Sequence, residues 1–131
     1  MGPWLSPPPN HNQLSARVRE RQTVMFISHD VSLELIRELR TLMPAIQRFD
    51  RDLATQLRTA ATSVTLNLSE GQRSGGGNQR RHYEIAHGSA NEVKGALSVA
   101  EAWGWIEDPA HARAILDRLL ALLWRLTHPR A

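Results

Sequence analysis

The sequence has no cysteine, a single lysine and few aromatic residues among its 131 positions. The absence of cysteine excludes a disulfide framework and thiolate metal sites, so an apolar core must hold the fold together. No apolar run approaches the roughly 20 residues that a membrane-spanning helix needs. The N-terminus also lacks the basic segment and apolar core of a signal peptide, and we therefore expect a cytoplasmic protein.

The formal net charge of +3 is unevenly distributed along the chain. Residues 1–28 carry Arg17, Arg19 and Arg21 against Glu20 alone, so the remainder of the chain is close to neutral. The overall charge therefore gives no strong case for nucleic-acid binding by the chain as a whole.

The first 28 residues show no sustained hydrophobic periodicity and include the run Pro7-Pro8-Pro9. This composition predicts a flexible N-terminal arm, followed by a single domain over residues 29–131. Met25 lies just before the first periodic segment and is a candidate translation start, which would leave residues 1–24 untranslated.

The rest of the chain shows four helical patterns and no strand pattern, which predicts an all-α fold. The patterns cover about residues 30–49, 51–70, 79–103 and 108–127. The connections between them are short, so we expect an up-down-up-down antiparallel four-helix bundle.

Helix-capping and helix-breaking residues set the predicted ends of these helices. Asp50 is expected to cap the second helix and Gly71 to end it. Pro44 predicts a kink or an early end in the first helix. Asp108 followed by Pro109 is typical of a cap and a first helical position, and so predicts the start of the fourth helix.

The fourth helix is too apolar for one bundle core. Its apolar residues span roughly 160°, whereas a core-facing stripe covers roughly 100°. Trp124 falls outside even this arc, and Leu66 points away from the stripe of the second helix. We expect an oligomer interface that includes Leu66, Trp103, Trp105, Leu122 and Trp124. The alternative is a monomer, because isolated surface hydrophobes are common.

Few residues suggest catalysis or metal binding. Glu84 and His87 form a Glu-x-x-His pair, which is half of the motif of a di-iron bundle. Both lie away from the core stripe centred on Ala86, so we predict no metal site and no cofactor. No set of nucleophile, base and orienting residue can be assigned, and we expect no enzymatic activity.

Polar residues on two helices predict a hydrogen-bonded seam. Ser63, Asn67 and Glu70 share one flank of the second helix, and Ser89 and Glu92 share a flank of the third. If these flanks meet, the seam would fix the register between the helices. The alternative is that these side chains are solvated.

Residues 72–82 form the only basic cluster outside the arm, with Arg73, Arg80 and Arg81 and no acidic residue. Their glycines would free backbone N–H groups beside a helix N-terminus, a setting that favours phosphate. The segment lacks the Gly-Lys-Ser/Thr ending of a nucleotide-binding P-loop. We predict phosphate contacts by the three arginines, and the alternative is a flexible, solvated turn.

Two segments resemble a known family. Residues 56–71, QLRTAATSVTLNLSEG, resemble a signature of the "four helix bundle protein" family, and residues 86–92, AHGSANE, resemble a second one. That family includes proteins encoded in ribosomal RNA intervening sequences. It also includes relatives of the accessory variability protein of diversity-generating retroelements. Both matches fall within residues 30–127, which is nearly the whole predicted domain.

The resemblance implies a four-helix protomer in a homopentameric barrel. For the retroelement relatives it implies a basic accessory protein that binds a reverse transcriptase and RNA or DNA. The sequence departs from the family in its glycine triplet and its nearly neutral domain. We expect a non-enzymatic homo-oligomeric binding module without a small-molecule substrate, of the RNA or reverse-transcriptase accessory type. The alternative is a structural scaffold for a protein partner, with no nucleic-acid role.

Overall fold

The computed structural model describes residues 6–129, which form four α-helices and contain no strand. These are α1 (His11–Phe49), α2 (Arg51–Arg73), α3 (Gly76–Ala102) and α4 (Ala110–Thr127). The predicted all-α fold with four helices is confirmed. Residues 1–5 of the predicted arm lie outside the described residues, as do residues 130 and 131.

Each helix packs against two others: α1 and α3 both contact α2 and α4. One apolar cluster fills the space between them, because each helix carries apolar residues at helical spacing. Burial of one leucine side chain contributes about 1.5–3 kcal/mol, so this cluster is the main source of stability. Its largest fully buried apolar side chains are Leu35, Ile46, Leu57, Val64, Leu68, Val93, Leu97, Leu116, Leu119 and Leu123.

The predicted flexible arm is wrong for residues 11–28, which form the first half of α1. Asn10 caps this helix by accepting a hydrogen bond from the Gln13 N–H, and the Gln13 side chain accepts one from the Asn10 N–H. Val24 and Met25 are buried in the core. The first turns contact few other residues and carry no apolar stripe, so hydrophobic periodicity did not reveal them. The Asn-x-x-Gln capping box in the sequence was the signal that could have indicated the start of this helix.

α1 is much longer than its partner α4. At a rise of about 1.5 Å per residue, α1 is about 58 Å long and α4 about 27 Å. The end of α4 lies beside Glu20 and Arg21, which contact Arg125 and the carbonyl of Leu126. Residues 11–19 therefore extend α1 beyond the point where α4 ends.

Pro44 does not end α1, which continues to Phe49. Proline cannot donate to the carbonyl four residues earlier, here that of Arg40. Both Pro44 and Arg40 are exposed, so water can satisfy this carbonyl.

None of the four helices within residues 6–129 has a stretch long and apolar enough to span a bilayer.

The capping predictions had mixed outcomes. Asp50 is confirmed as the cap of α2, since its side chain accepts a 2.9 Å hydrogen bond from the Leu53 N–H. The expected cap at Asp108 is wrong, because Pro109 occupies the N-cap position of α4 and no side chain caps that helix. Gly104 follows the end of α3 with a φ of 75°, a conformation that favours glycine.

Gly71 was predicted to end α2, but it lies buried inside that helix. A Cβ atom at this position would lie 2.5 Å from Cε1 of the buried Tyr83 ring. Glycine is therefore needed for the close approach of α3 and not for a turn. The connection between the predicted helices, residues 71–78, is also shorter than expected, because only Ser74 and Gly75 separate α2 from α3.

We predict that Gly71→Ala destabilises the protein by about 1–3 kcal/mol, because the new methyl group overlaps the Tyr83 ring. The matched control is Gly88→Ala in α3, where a Cβ would meet nothing within 4 Å. That change should stabilise the helix by up to about 1 kcal/mol. Urea unfolding followed by circular dichroism measures both, and equal effects of the two substitutions would contradict the steric explanation.

Candidate functional site

The N-terminal half of α1, the α2–α3 connection and the end of α4 meet at one end of the protein. Glu20 pairs with Arg125 at 3.0 Å, and Arg21 Nη2 donates to the Leu126 carbonyl at 3.3 Å. His29 Nε2 lies 3.1 Å from the Ser69 hydroxyl of α2. The arginines of the predicted arm therefore lie at the same end as those of residues 72–82.

We call this region, residues 11–30, 69–87 and 124–129, the basic end. It contains seven of the chain's arginines but only four acidic residues. The sequence alone had placed these arginines in three separate parts of the chain: the arm, residues 72–82 and the fourth helix. The arginines are Arg17, Arg19, Arg21, Arg73, Arg80, Arg81 and Arg125, and the acidic residues are Glu20, Asp30, Glu70 and Glu84.

The three arginines predicted to bind phosphate lie on helical turns and not in a loop. Arg73 is the last residue of α2 and pairs with Glu70 at 2.6 Å, while Arg80 pairs with Glu84 at 3.0 Å within α3. Arg81 is exposed and forms no ion pair with any residue from 6 to 129. Exposed pairs contribute only about 0–1 kcal/mol, so a phosphate could replace either carboxylate at little cost.

The start of α3 lies within this basic end. Its N-cap is Gly75, and no side chain caps the first N–H groups of the helix. The Gln79 side chain instead donates to the carbonyls of Gly71 and Ser74, which closes the short connection. The positive end of the α3 dipole thus adds to the charge of the neighbouring arginines.

Part of the predicted seam lies between α2 and α3. The hydroxyls of Ser63 and Ser89 are 2.9 Å apart, and Asn67 Nδ2 donates to the carbonyl and hydroxyl of Ser63. His82 Nδ1 lies 2.9 Å from Asn67 Oδ1. Sequence reasoning missed His82, although it precedes Ser89 by seven residues and therefore shares its face of the helix.

The two predicted carboxylates do not join this seam. Glu70 is exposed and pairs with Arg73, and Glu92 is exposed with no hydrogen-bond partner among residues 6–129. A carboxylate is costly to bury without a cation, and the seam offers only hydroxyl, amide and imidazole groups. Glu70 and Glu92 therefore remain in water, and their assignment to the seam is wrong.

A second polar contact, not found from the sequence, joins α1 to α2. The hydroxyl of Ser32 lies 2.8 Å from that of Thr65, and Ser32 is fully buried. Ser28 is also buried and donates to the Val24 carbonyl at 2.6 Å. Because residues before Asp30 were assigned to an arm, Ser28 was not considered as part of a helix face.

The five residues predicted for an oligomer interface differ in exposure. Leu66, Trp103 and Trp124 are 59%, 68% and 53% exposed. Trp105 and Leu122 are partly buried and pack against the protomer's own core. Trp105 stacks between Phe49 and Trp103, with ring centroids 6.0 Å and 5.9 Å away, so its contacts lie largely within the protomer.

The Glu-x-x-His pair is not arranged as a ligand set. Glu84 pairs with Arg80, and His87 is partly buried. Burial lowers the pKa of the His87 imidazole, and the nearby charge of His128 lowers it further. Within residues 6–129, no three histidine or acidic side chains gather closely enough to hold a metal ion.

We predict that Asn67→Ala destabilises the protein by about 1–3 kcal/mol, because it leaves the half-buried His82 and Ser63 without a shared partner. The matched control is Asn91→Ala in α3, whose side chain is exposed and makes one 3.3 Å bond to the His87 carbonyl. That change should stay within about 0.5 kcal/mol of the wild type. Chemical unfolding compares the two, and a neutral Asn67→Ala would refute a structural role for the seam.

Comparison with known proteins gives one match. A family model described as "23S rRNA-intervening sequence protein" matches residues 20–124, from the first half of α1 almost to the end of α4. No curated protein and no solved structure matches the chain. The matched region holds both segments on which the resemblance rested, together with most of the basic end. The chain therefore belongs to the 23S rRNA-intervening sequence protein family.

Proposed function

We propose that the protein is a non-enzymatic, homo-oligomeric module that binds RNA through the phosphates. The observation that carries this proposal is the convergence of arginines from all four helices at the basic end. Arginine contacts to phosphates supply most of the affinity of sequence-independent nucleic-acid binding. The family's description, which names ribosomal RNA, supports RNA as the partner.

For the protomer we propose the up-down-up-down arrangement. Support comes from the order of the residues that meet. His29 of α1 contacts Ser69 of α2, and Ser32 of α1 contacts Thr65 of α2. Residue numbers therefore rise along α1 while they fall along α2, as expected for antiparallel helices. The same reversal holds between α2 and α3, where Asn67 meets His82 and Ser63 meets Ser89.

For the assembly we propose a homopentameric barrel, as the family resemblance implies. The exposed apolar side chains support an interface, since Leu66 and Trp124 would otherwise remain in water. An assembly of this kind would also repeat the basic end once per protomer. Several weak phosphate sites on one assembly could then bind a single RNA molecule together, with a much higher overall affinity than one site alone.

We predict that light scattering after gel filtration gives the mass of a pentamer at micromolar concentration. Leu66→Gln should shift the population toward smaller species, because a polar amide would be buried without a partner at the interface. Leu14→Gln is the matched control, since Leu14 is similarly exposed but lies outside the proposed interface. A wild-type monomer, or equal effects of both changes, would contradict the proposed interface.

We predict that replacing Arg73, Arg80 and Arg81 together with alanine weakens binding to a labelled 23S rRNA fragment by at least about tenfold at physiological salt. The slope of log affinity against log salt should fall by about 2, since each lost phosphate contact removes about 0.7. Fluorescence anisotropy at several salt concentrations measures both quantities.

The control carries alanine at Arg37, Arg51 and Arg118, three exposed arginines outside the basic end. It makes the same change in net charge and should retain most of the affinity. Equal losses in the two variants would show that binding depends on total charge alone. No measurable RNA binding by the wild type would favour the protein-scaffold alternative, which predicts that the chain co-purifies with a protein partner.

A further inference from the structure

A cleft of about 230 Å³ lies between the first half of α1 and the end of α4. Its charged lining is mostly basic, with Arg17, Arg21 and Arg125 against Glu20 alone. Trp124 and His128 form another part of the wall, with their rings stacked 4.2 Å apart. We call this the Arg21 cleft. None of its residues was predicted from the sequence to bind phosphate.

Arg21 is the unusual residue of this cleft. Its Nη2 donates to the Leu126 carbonyl, whereas its Nη1 is buried and has no hydrogen-bond partner among residues 6–129. A guanidinium group has five N–H donors in a planar fork, and a buried donor without an acceptor is costly. Arg21 therefore retains capacity to bind an oxygen atom that the described residues do not supply.

The neighbouring charges favour an anion over a neutral ligand. Glu20, the only acidic residue in the wall, is paired with Arg125 at 3.0 Å. That pair is about half exposed, so an anion can displace the carboxylate with little loss. One guanidinium group can hold a phosphate through two parallel hydrogen bonds, and a second arginine across the cleft adds further donors.

We propose that the Arg21 cleft binds a phosphate group, with Arg21 and Arg125 as the direct donors. Trp124 lies in the wall of the same cleft, so a phosphate bound there changes the surroundings of its indole ring. The phosphate could belong to an RNA backbone or to a small phosphate compound. The site is separate from Arg73, Arg80 and Arg81, and so does not depend on their role.

Isothermal titration of the full chain with inorganic phosphate tests this site. Arg21→Gln should weaken phosphate binding by at least about tenfold, because it removes a charge-assisted pair of hydrogen bonds. Arg118→Gln makes the same charge change far from the cleft and should have less than about a twofold effect. The indole N–H signal of Trp124, assigned with Trp124→Phe, should shift in the wild type and stay unchanged in Arg21→Gln.

Two further variants keep the result interpretable. If Arg21→Gln fails to fold, Arg125→Gln replaces it, because Arg125 is exposed and its substitution should leave the fold intact. Arg125→Gln should also weaken phosphate binding severalfold. In the triple alanine variant at Arg73, Arg80 and Arg81, phosphate should still shift the indole signal of Trp124, which lines the cleft. This local readout separates the cleft from the proposed RNA contacts. If the 23S rRNA fragment competes with phosphate for the cleft, the ligand is a phosphate of the RNA backbone. If it does not compete, the ligand is a small phosphate compound. Binding that no cleft substitution weakens would overturn the proposal.

Discussion

The register between α2 and α3 decides where most of the candidate functional side chains lie. It is set by the contact of Gly71 with the Tyr83 ring and by the hydrogen bonds joining Ser63 to Ser89 and Asn67 to His82. A slip of one helical turn, about 5.4 Å, would break both polar contacts and move the ring off the glycine. Arg73 and Arg80 lie directly beyond these contacts, so the same register brings the end of α2 and the start of α3 together at the basic end.

Polar contacts can set this register because the buried faces of these helices are rich in small residues. Ala60 and Ala61 on α2 and Ala86, Ala90 and Ala100 on α3 are all buried. Alanine side chains allow the two helices to approach closely, but they are all small and alike in shape. Apolar packing alone would therefore be compatible with more than one register. The buried faces of α1 and α4 carry more of the large apolar side chains. Hydrogen bonds between α2 and α3 then select one arrangement, a role for which buried polar groups are well suited.

Hydrophobic periodicity predicted the last three helices and the core because their apolar residues face other helices along nearly their whole length. It failed for residues 11–28, because residues 11–19 extend past α4 and leave Leu14 and Val18 exposed. Gly71 was predicted to end the second helix because local propensity cannot show that it faces a tyrosine ring. The basic end could not be predicted either, since it depends on which distant segments meet. Arg73 and Arg81 were named from the sequence, whereas Arg21 was counted only as charge on an arm.

Helical structure in α1 changes what its arginines can do. On a flexible arm, Arg17 and Arg21 would have to be ordered at the moment of binding, which lowers the net affinity. On a helix packed against α4, Arg21 is already held beside Arg125 and the Leu126 carbonyl. The same extension leaves Leu14, Val18 and Phe26 exposed on a helix with few partners of its own. Exposed apolar residues on such a projecting helix form a surface that a bound partner can cover, so the segment that completes the basic end also offers apolar contacts beside its arginines.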